Sequence, residues 1–356
     1  MNDDFAKLAS HKIHENILAG FLAYRVPKAS KAQIFDILDR CAKKKLTTAV
    51  ALDELGDINA RSIDIKKPDR GDSSYSENRI NARIRDIEPF EQQLRAAKIT
   101  QYLDIGCGNG SITAAIGAHL KLTPENIFGA DIATWAGHDH KQESLPGFTF
   151  KTVDTTLRAV STSSKDTSLH IASSGYSIDL PSGSIQFISL LMVLHHIKDE
   201  LLPAVFGEIA RLLSPSGLVL LREHDSPNEM VDSLINIEHG VFEVVLEGLT
   251  SGDSFGKNYY GKYRTKREWR VLFALYGFSH VGTTKHYGYT RGYYSLFQHN
   301  GSLVAPIDAK QTPELIKELQ KIGASSSVVK AVRNNDEIKK LIIGGQRELA
   351  SVSVHI

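Results

Sequence analysis

Three glycines at every second position, Gly106, Gly108 and Gly110, follow the apolar run of Tyr102, Leu103 and Ile105 and precede a helical pattern through Ile112, Ile116 and Leu120. That is a strand, a tight bend and a helix, and a bend without side chains lets a ligand touch backbone amides. Asp104 stands just before it, and Asp131 ends the next apolar segment, Ile127 to Ala130. A βαβ unit brings the tip of its second strand beside the first bend, where a carboxylate can hold two vicinal ribose hydroxyls. The unit therefore reads as a nucleoside-cofactor site. The spacing is Gly-x-Gly-x-Gly rather than the Gly-x-Gly-x-x-Gly of a dinucleotide site, and no Lys-Ser or Lys-Thr follows as in a P-loop.

A second group of reactive side chains follows Leu218-Val-Leu-Leu221, in Arg222-Glu-His-Asp225, and a third is His195-His196. The carboxyl edge of a parallel sheet is where α/β folds place ligands. A histidine titrating near neutrality suits removal of a proton from a hydroxyl or an activated carbon acid. The candidates for a base are His195, His196, Glu223, His224 and Asp225. His224 is the foremost, because Glu223 and Asp225 flank it and carboxylates raise an imidazole's pKa and fix its tautomer. The expected catalytic set is His224, Glu223 and His196, with a structural or cofactor-edge role as the alternative for His196. His138, Asp139, His140 and Lys141 lack a second set of ligands at a defined spacing, so no metal site is expected.

The elements that position these groups are legible from period and punctuation. Phe5, Leu8, Ile13, Ile17, Phe21 and Leu22 predict an amphipathic helix over about 3 to 25. Ser30 with Gln33 is a capping box opening a second helix, which ends near Lys43-Lys-Lys45, and a short third covers Thr47 to Leu55. Residues 57 to 76, rich in charge, Gly and Ser, read as a linker or a cofactor-ordered loop. Ile80, Ile84 and Ile87 mark another helix, interrupted at Pro89 and resumed at Phe90 and Leu94. Thr312-Pro-Glu-Leu and the stretch from about Ser327 predict two C-terminal helices.

Asp104-Ile-Gly-Cys-Gly-Asn-Gly110 resembles motif I of class I S-adenosylmethionine-dependent methyltransferases, and later segments extend the resemblance. Leu180-Pro181, Ile185 to Ile188, Leu194-His-His196, Ser214-Pro-Ser-Gly217 and the strand Leu218 to Leu221 are similar to the methyltransferase type 11, ubiquinone-methyltransferase-like group, over about residues 76 to 299. The resemblance implies an α/β fold: a Rossmann-like, seven-stranded, mostly parallel sheet with helices on both faces. His280 to Thr284 and Tyr293 to Gln298 are its antiparallel last strands. It divides the chain into an N-terminal helical region and linker (1–75), a methyltransferase domain (76–300) and a C-terminal helical extension (301–356).

The cofactor implied is S-adenosyl-L-methionine. Asp104 orients the loop and the cofactor's amino group, Gly106, Cys107, Gly108, Asn109 and Gly110 wrap its methionine part, and Asp131 takes the ribose. Ile132 belongs to the same site. Trp135 stands where the family places an apolar wall for the adenine, with plain packing as the alternative. Arg79 or Arg83 could reach the carboxylate from the preceding helix. Where many relatives have an acid ahead of the Leu-Pro turn, this chain has Tyr176, so adenine recognition falls to Tyr176, Asp179 or backbone.

The bulk composition is that of an ordinary soluble globular protein of 356 residues. The 42 Lys plus Arg nearly balance the 41 Asp plus Glu, so no global field draws the chain to nucleic acid. No apolar run reaches a membrane span, the N-terminus lacks a secretory layout, and Cys41 and Cys107 are the only cysteines, so a reducing, cytoplasmic location is expected.

The segment Leu191-Met-Val-Leu-His-His196, at the end of the strand from Ile185, lacks the Asn/Asp-Pro-Pro-aromatic signature of base-amino methylation, no cysteine is placed for attack on a pyrimidine, and His195-His196 holds the place of a ribose-methylating Asp. A small or medium-sized acceptor is favoured. The alternatives are a cap-type RNA acceptor and a catalytically silent cofactor-binding module in a larger assembly. The RNA reading would use Lys257, Lys262, Arg264, Lys266 and Arg267 with Tyr259, Tyr260 and Tyr263. The terminal helices would serve as packing elements or as a surface for a protein partner.

Overall fold

The computed structural model describes residues 3–61, 73–132, 147–154, 176–199, 201–285, 287–288 and 290–300. His138 to Lys141, Trp135 and the expected C-terminal helices lie outside them. The chain divides into two compact units, one of helices and one built on a sheet.

The helical unit gathers Met1–Ser76 with His224–Tyr263 and His286–Gly292. Its first helices are α1 (Asp4–Ala9), α2 (Lys12–Arg25), α3 (Lys31–Ala42) and α4 (Thr48–Arg61). The first predicted helix is thus broken in two, at Ser10 and His11. The capping box at Ser30 is present, with Gln33 N–H donating to Ser30 Oγ at 3.2 Å and Ser30 N–H to Gln33 Oε1 at 2.9 Å. Helix α4 runs six residues past the expected Leu55. The next helix, α5 (Ser73–Ile87), opens at the boundary with the sheet unit, so both ends of the expected linker are helical.

The sheet unit continues α5 through a 3-10 turn at Pro89 into α6 (Glu91–Ala96). It then runs β1 (Tyr102–Ile105), α7 (Ser111–His119), β2 (Ile127–Asp131), β3 (Thr149–Asp154), β4 (Ser177–Ile178), β5 (Ile185–Leu191), α8 (Leu202–Leu212) and β6 (Leu213–His224). In the helical unit follow α9 (Glu229–Gly240), a π-helical turn (Val241–Leu246) and α10 (Gly252–Asn258). The chain returns through α11 (Lys266–Leu275), β7 (Phe278–Thr283) and β8 (Gly292–His299).

The strand order is β4-β3-β2-β1-β5-β6-β8-β7. Among the described residues the sheet has eight strands rather than the expected seven, because Ser177 and Ile178 form a short antiparallel edge against Val153 and Asp154. The pairs β1–β2, β1–β5, β2–β3 and β5–β6 are parallel, and β7–β8 is antiparallel. Chain order reverses about β1, between β2 and β5, which puts a crevice at the carboxyl ends of those strands. The third parallel strand is Thr149–Asp154 and ends in an acid, well ahead of Tyr176 and the Leu180-Pro181 turn. Among the described residues no helix is long and apolar enough to cross a membrane.

The two faces of β1 do different work. Leu103 and Ile105 join Ile188, Leu190, Val205, Phe206 and Ile209 in an apolar core. On the other face Asp104 is only 2% exposed and accepts from Thr113 Oγ1 at 2.6 Å and from Ser189 Oγ, which is itself 2.7 Å from Tyr102 Oη. One carboxylate therefore ties β1 to α7 and β5. Burial pushes it up to about 6, against the two hydroxyl donors that hold it down, and the charge of Asp131 adds to the rise.

The edge strand β4 is held by Arg211 and Glu208 of α8. Glu208 accepts from Ile178 N–H at 2.7 Å, and Arg211 donates to both Glu208 oxygens and to the carbonyls of Ile178 and Leu180. Glu208 is 5% exposed and Arg211 34%, so the partners are unequal when widowed. Arg211→Ala strands a buried carboxylate and should cost about 3 kcal/mol in urea unfolding. Glu208→Ala leaves a guanidinium that water can reach and should cost about 1 kcal/mol; the opposite ranking would contradict the clamp.

The Asp104 carboxyl binds its proton more tightly folded than unfolded, so its contribution to stability is full below the ordinary value of 3.8 and is lost as pH rises through about 6. Unfolding free energies measured across that window should show a descending component in the wild type that Asp104→Asn lacks. Parallel profiles would refute it.

Candidate active site

The bend after β1 is built from backbone that only glycine adopts without strain. Gly106, Gly108 and Gly110 have φ of +77°, +52° and +72°. Space excludes a side chain as well: a Cβ on Gly106 would lie 2.1 Å from Val193 Cγ2, and one on Gly110 would lie 1.9 Å from the Phe148 ring. The amides of Gly106 and Cys107 both donate to the Ala130 carbonyl, at 2.7 and 3.2 Å, which pins the bend to the end of β2. Gly108 N–H donates to Asp131 Oδ2 at 2.8 Å, so the carboxylate at the tip of β2 lies on the loop.

The rest of the loop completes the entry to α7. Asn109 Oδ1 accepts from Ser111 N–H and Oγ, at 3.2 and 2.9 Å. The Cys107 thiol is buried and held well above its ordinary value by burial first and by Asp104 and Asp131 next, so it is no nucleophile. Ile132 is 39% exposed at the strand end. Tyr176 is buried, its phenol pushed up by burial and by the charges of Asp131 and Glu208. Asp154 was missed in the sequence: it ends β3 as Asp131 ends β2, and the alternating Thr149-Phe-Lys-Thr-Val-Asp154 was the signal.

A bend of three left-handed glycines, pinned to the neighbouring strand by the Gly106 and Cys107 amides and with a carboxylate on the Gly108 amide, fits S-adenosylmethionine. The donor set is right for a nucleoside with vicinal hydroxyls, and the cradle is one that side chains would fill. Asp104 has both oxygens occupied by hydroxyls inside the core, so its bonds orient the loop. Arg83 donates to Asp86 Oδ2 at 2.6 Å and to Tyr294 Oη at 3.1 Å, bonds that hold it within the fold.

At the end of β5 the chain turns through Met192, a non-glycine residue at φ +65°, into a 3-10 turn over Leu194–His196. Such a conformation costs about 1 kcal/mol. It seats Val193 against the glycine bend and drives His195 inward. His195 is 0% and Glu223 1% exposed, and His195 Nδ1 lies 2.6 Å from Glu223 Oε2. Oε1 of the same carboxylate accepts from the His195 backbone N–H at 3.3 Å. A carboxylate offers only lone pairs, so Nδ1 carries the proton and Nε2 the lone pair.

The expected catalytic set is therefore corrected in its pairing. Glu223 serves His195, not His224, since neighbours on a strand point to opposite faces. In the helical unit, His224 is 3% exposed and donates from Nδ1 to the Thr290 carbonyl at 3.0 Å. Asp225 is held by Arg291, which donates to Oδ2 at 3.1 Å. His196 is exposed, with its ring 4.1 Å from that of His195.

Within the basic, aromatic stretch that the RNA reading would use, one cation is taken into the core. Arg264 is 2% exposed, bonded to Asp199 and 4.8 Å over Trp269. In the helical unit Lys257 pairs with Asp253, and the Tyr259 and Tyr263 hydroxyls bond each other at 2.6 Å.

A family model described as a methyltransferase domain matches residues 31–281, starting well ahead of the expected residue 76. No match was found among curated proteins. Among solved structures the chain is similar to a SAM-dependent methyltransferase from Methanosarcina mazei, at 15% identity and a TM-score of 0.36, covering 56% of this chain and 92% of that one. It is similar to a Pyrococcus horikoshii protein at 17% identity and a TM-score of 0.39, covering 67% and 98%. It is also similar to LepI in complex with SAM, at 13% identity and a TM-score of 0.36, covering 56% and 42%. With the motif, the strand order and a family match over most of its length, the chain belongs to the methyltransferase-domain family, as a class I S-adenosylmethionine-dependent methyltransferase.

Proposed function

We propose that this chain transfers a methyl group from S-adenosylmethionine to an oxygen of a small or medium-sized hydroxyl-bearing acceptor, with His195 as general base. The observation that carries it is the buried His195–Glu223 pair, Nδ1 to Oε2 at 2.6 Å, at the carboxyl edge of β5 and β6.

Gly106, Cys107, Gly108, Asn109 and Gly110 would hold the cofactor's amino-acid part, Asp131 its ribose hydroxyls, and Ile132, Tyr176 and Asp154 its adenine edge. Bound there, the cofactor supplies an electrophilic methyl on a sulfonium. The protein's share is alignment, exclusion of water and removal of the acceptor's proton. His195 Nε2 takes that proton as the hydroxyl becomes a nucleophile. Glu223, bonded to Nδ1–H, fixes the tautomer and stabilises the imidazolium that results. Its second bond, to the His195 amide, fixes the backbone on which the ring is carried. Glu223 is thus a positioning residue.

A cofactor-binding module without turnover is the alternative, and variants at the two ends of the site separate it from an enzyme. Asp131→Ala should weaken S-adenosylhomocysteine binding at least ~10-fold by calorimetry, the loss of a charge-assisted hydrogen-bond pair. Unchanged binding would remove the ribose assignment.

His195→Gln should lower kcat by roughly 10²- to 10⁴-fold and leave the cofactor Kd as it is. Glu223→Gln should lower it less and change its pH profile, because an amide still accepts from Nδ1–H but no longer stabilises the imidazolium. Equal rates in wild type and His195→Gln would show that no base acts there.

A further inference from the structure

The turn that carries His195 meets the glycine bend through the side chain of Val193, half-buried and two residues ahead of His195. A Cβ on Gly106 would lie 2.1 Å from Val193 Cγ2 and 3.1 Å from its Cβ and Cγ1, so this branched side chain fills the space that any residue other than glycine would claim. Valine is stiff about χ1, so a push on its methyls is passed to its backbone instead of being lost in a rotation.

Both backbones in that contact are anchored from behind. Gly106 N–H donates to the Ala130 carbonyl at 2.7 Å, which holds the bend on β2, and Met192 N–H donates to the Arg222 carbonyl at 2.9 Å, which holds the end of β5 on β6. Past Met192, at φ +65°, the 3-10 turn is closed by His196 N–H on the Val193 carbonyl at 3.0 Å and by Ile197 N–H on that of Leu194 at 3.1 Å. The His195 amide and Nδ1 both donate to Glu223. Val193 and His195 thus belong to one hydrogen-bonded turn, and what displaces the first displaces the second.

In the proposed site the cofactor's amino-acid part lies on this bend. Packed contacts change between discrete arrangements and do not deform continuously, so an adjustment of Gly106 has to be answered at Val193. The bond from His195 Nδ1 to Glu223 Oε2, at 2.6 Å, is the part of the turn that registers it, because a hydrogen bond weakens steeply as its angle closes.

We propose that Val193 is a positioning residue that couples the glycine bend to His195, so that loading of the cofactor site sets the ring for removal of the acceptor's proton. This rests on the reading of His195 as the base.

The test is nitrogen NMR of the full chain with isotopically labelled histidine rings, the His195 signals being those that His195→Gln lacks. Saturating S-adenosylhomocysteine should shift the His195 ring nitrogens of the wild type. Val193→Ala removes both γ-carbons; it should leave S-adenosylhomocysteine binding as it is by calorimetry, abolish the shift, and lower kcat roughly 10- to 100-fold, the cost of a small misplacement of a reacting group. Val193→Ile keeps both γ-carbons and should retain the shift and the rate. A wild-type ring that does not respond, or an alanine variant that responds as the wild type does, would overturn the proposal. Should the alanine variant fail to fold, Val193→Leu, which keeps bulk but loses the branch at Cβ, takes its place and should show the same loss. Failure of the base reading is seen separately, as a His195→Gln chain that transfers at the wild-type rate; a silent ring in a chain that needs His195 removes only the coupling.

Discussion

The bend between β1 and α7 is possible only because one carbonyl, that of Ala130, accepts two successive amides, those of Gly106 and Cys107. A buried backbone donor must find a partner, and a loop of left-handed residues cannot provide one from a ladder. The end of β2 supplies it, and by the same approach brings Asp131 onto Gly108 N–H. The arrangement proposed to hold the cofactor is thus a by-product of how the bend satisfies its own hydrogen bonds. Asp104 stands behind it, fixing β1 to α7 and β5 through hydroxyls that hydrogen-bond its ionised form and so oppose the rise that burial imposes. Carboxylate in front and carboxylate behind are both needed, one to face a ligand and one to keep the loop from shifting.

The same economy governs the end of β5. Burying an acid and an imidazole is unfavourable unless each satisfies the other. Glu223 does so with both oxygens, one on the ring of His195 and one on its amide. Leu or Met in both places would pack as well and fold as readily. The strained Met192 and the exposed His196 beside it indicate that the turn is shaped around where His195 must be. Strain kept next to a buried acid–imidazole pair is the signature of a site whose geometry matters more than its stability.

What was legible in the sequence was what is local. Strand, bend, helix and the acid at Asp131 announce themselves because glycine's freedom and the period of a helix act within about ten residues. The capping box at Ser30 is local in the same way. The His195–Glu223 pair, on which the proposed base rests, was not legible. His195 and Glu223 are 28 residues apart, and only the register of β5 on β6, Leu190 opposite Leu221 and Leu191 opposite Arg222, brings them together. Adjacency suggested Glu223 for His224, where alternation along a strand forbids it. The acid that ends the strand paired with β2, Asp154, was not singled out, because the Leu180-Pro181 turn drew attention to Tyr176 instead. Arg264 looked like part of a basic surface because its ion-pair partner, Asp199, is 65 residues away in the chain.

Alternation at the end of β6 also explains how so short a polar run serves two purposes. Glu223 turns into the sheet unit and spends its charge on His195, whereas His224, the next residue, has its partners in the helical unit, Thr290 and the rings of His239 and Tyr263. Each histidine keeps Nδ1–H on an oxygen and so presents Nε2 as its basic nitrogen. They differ in what lies behind the ring: a carboxylate for His195, which supports an imidazolium, and a neutral carbonyl for His224, which does not. The charge behind the ring, not the order along the chain, distinguishes the two histidines, and the proposal of His195 as base rests on it.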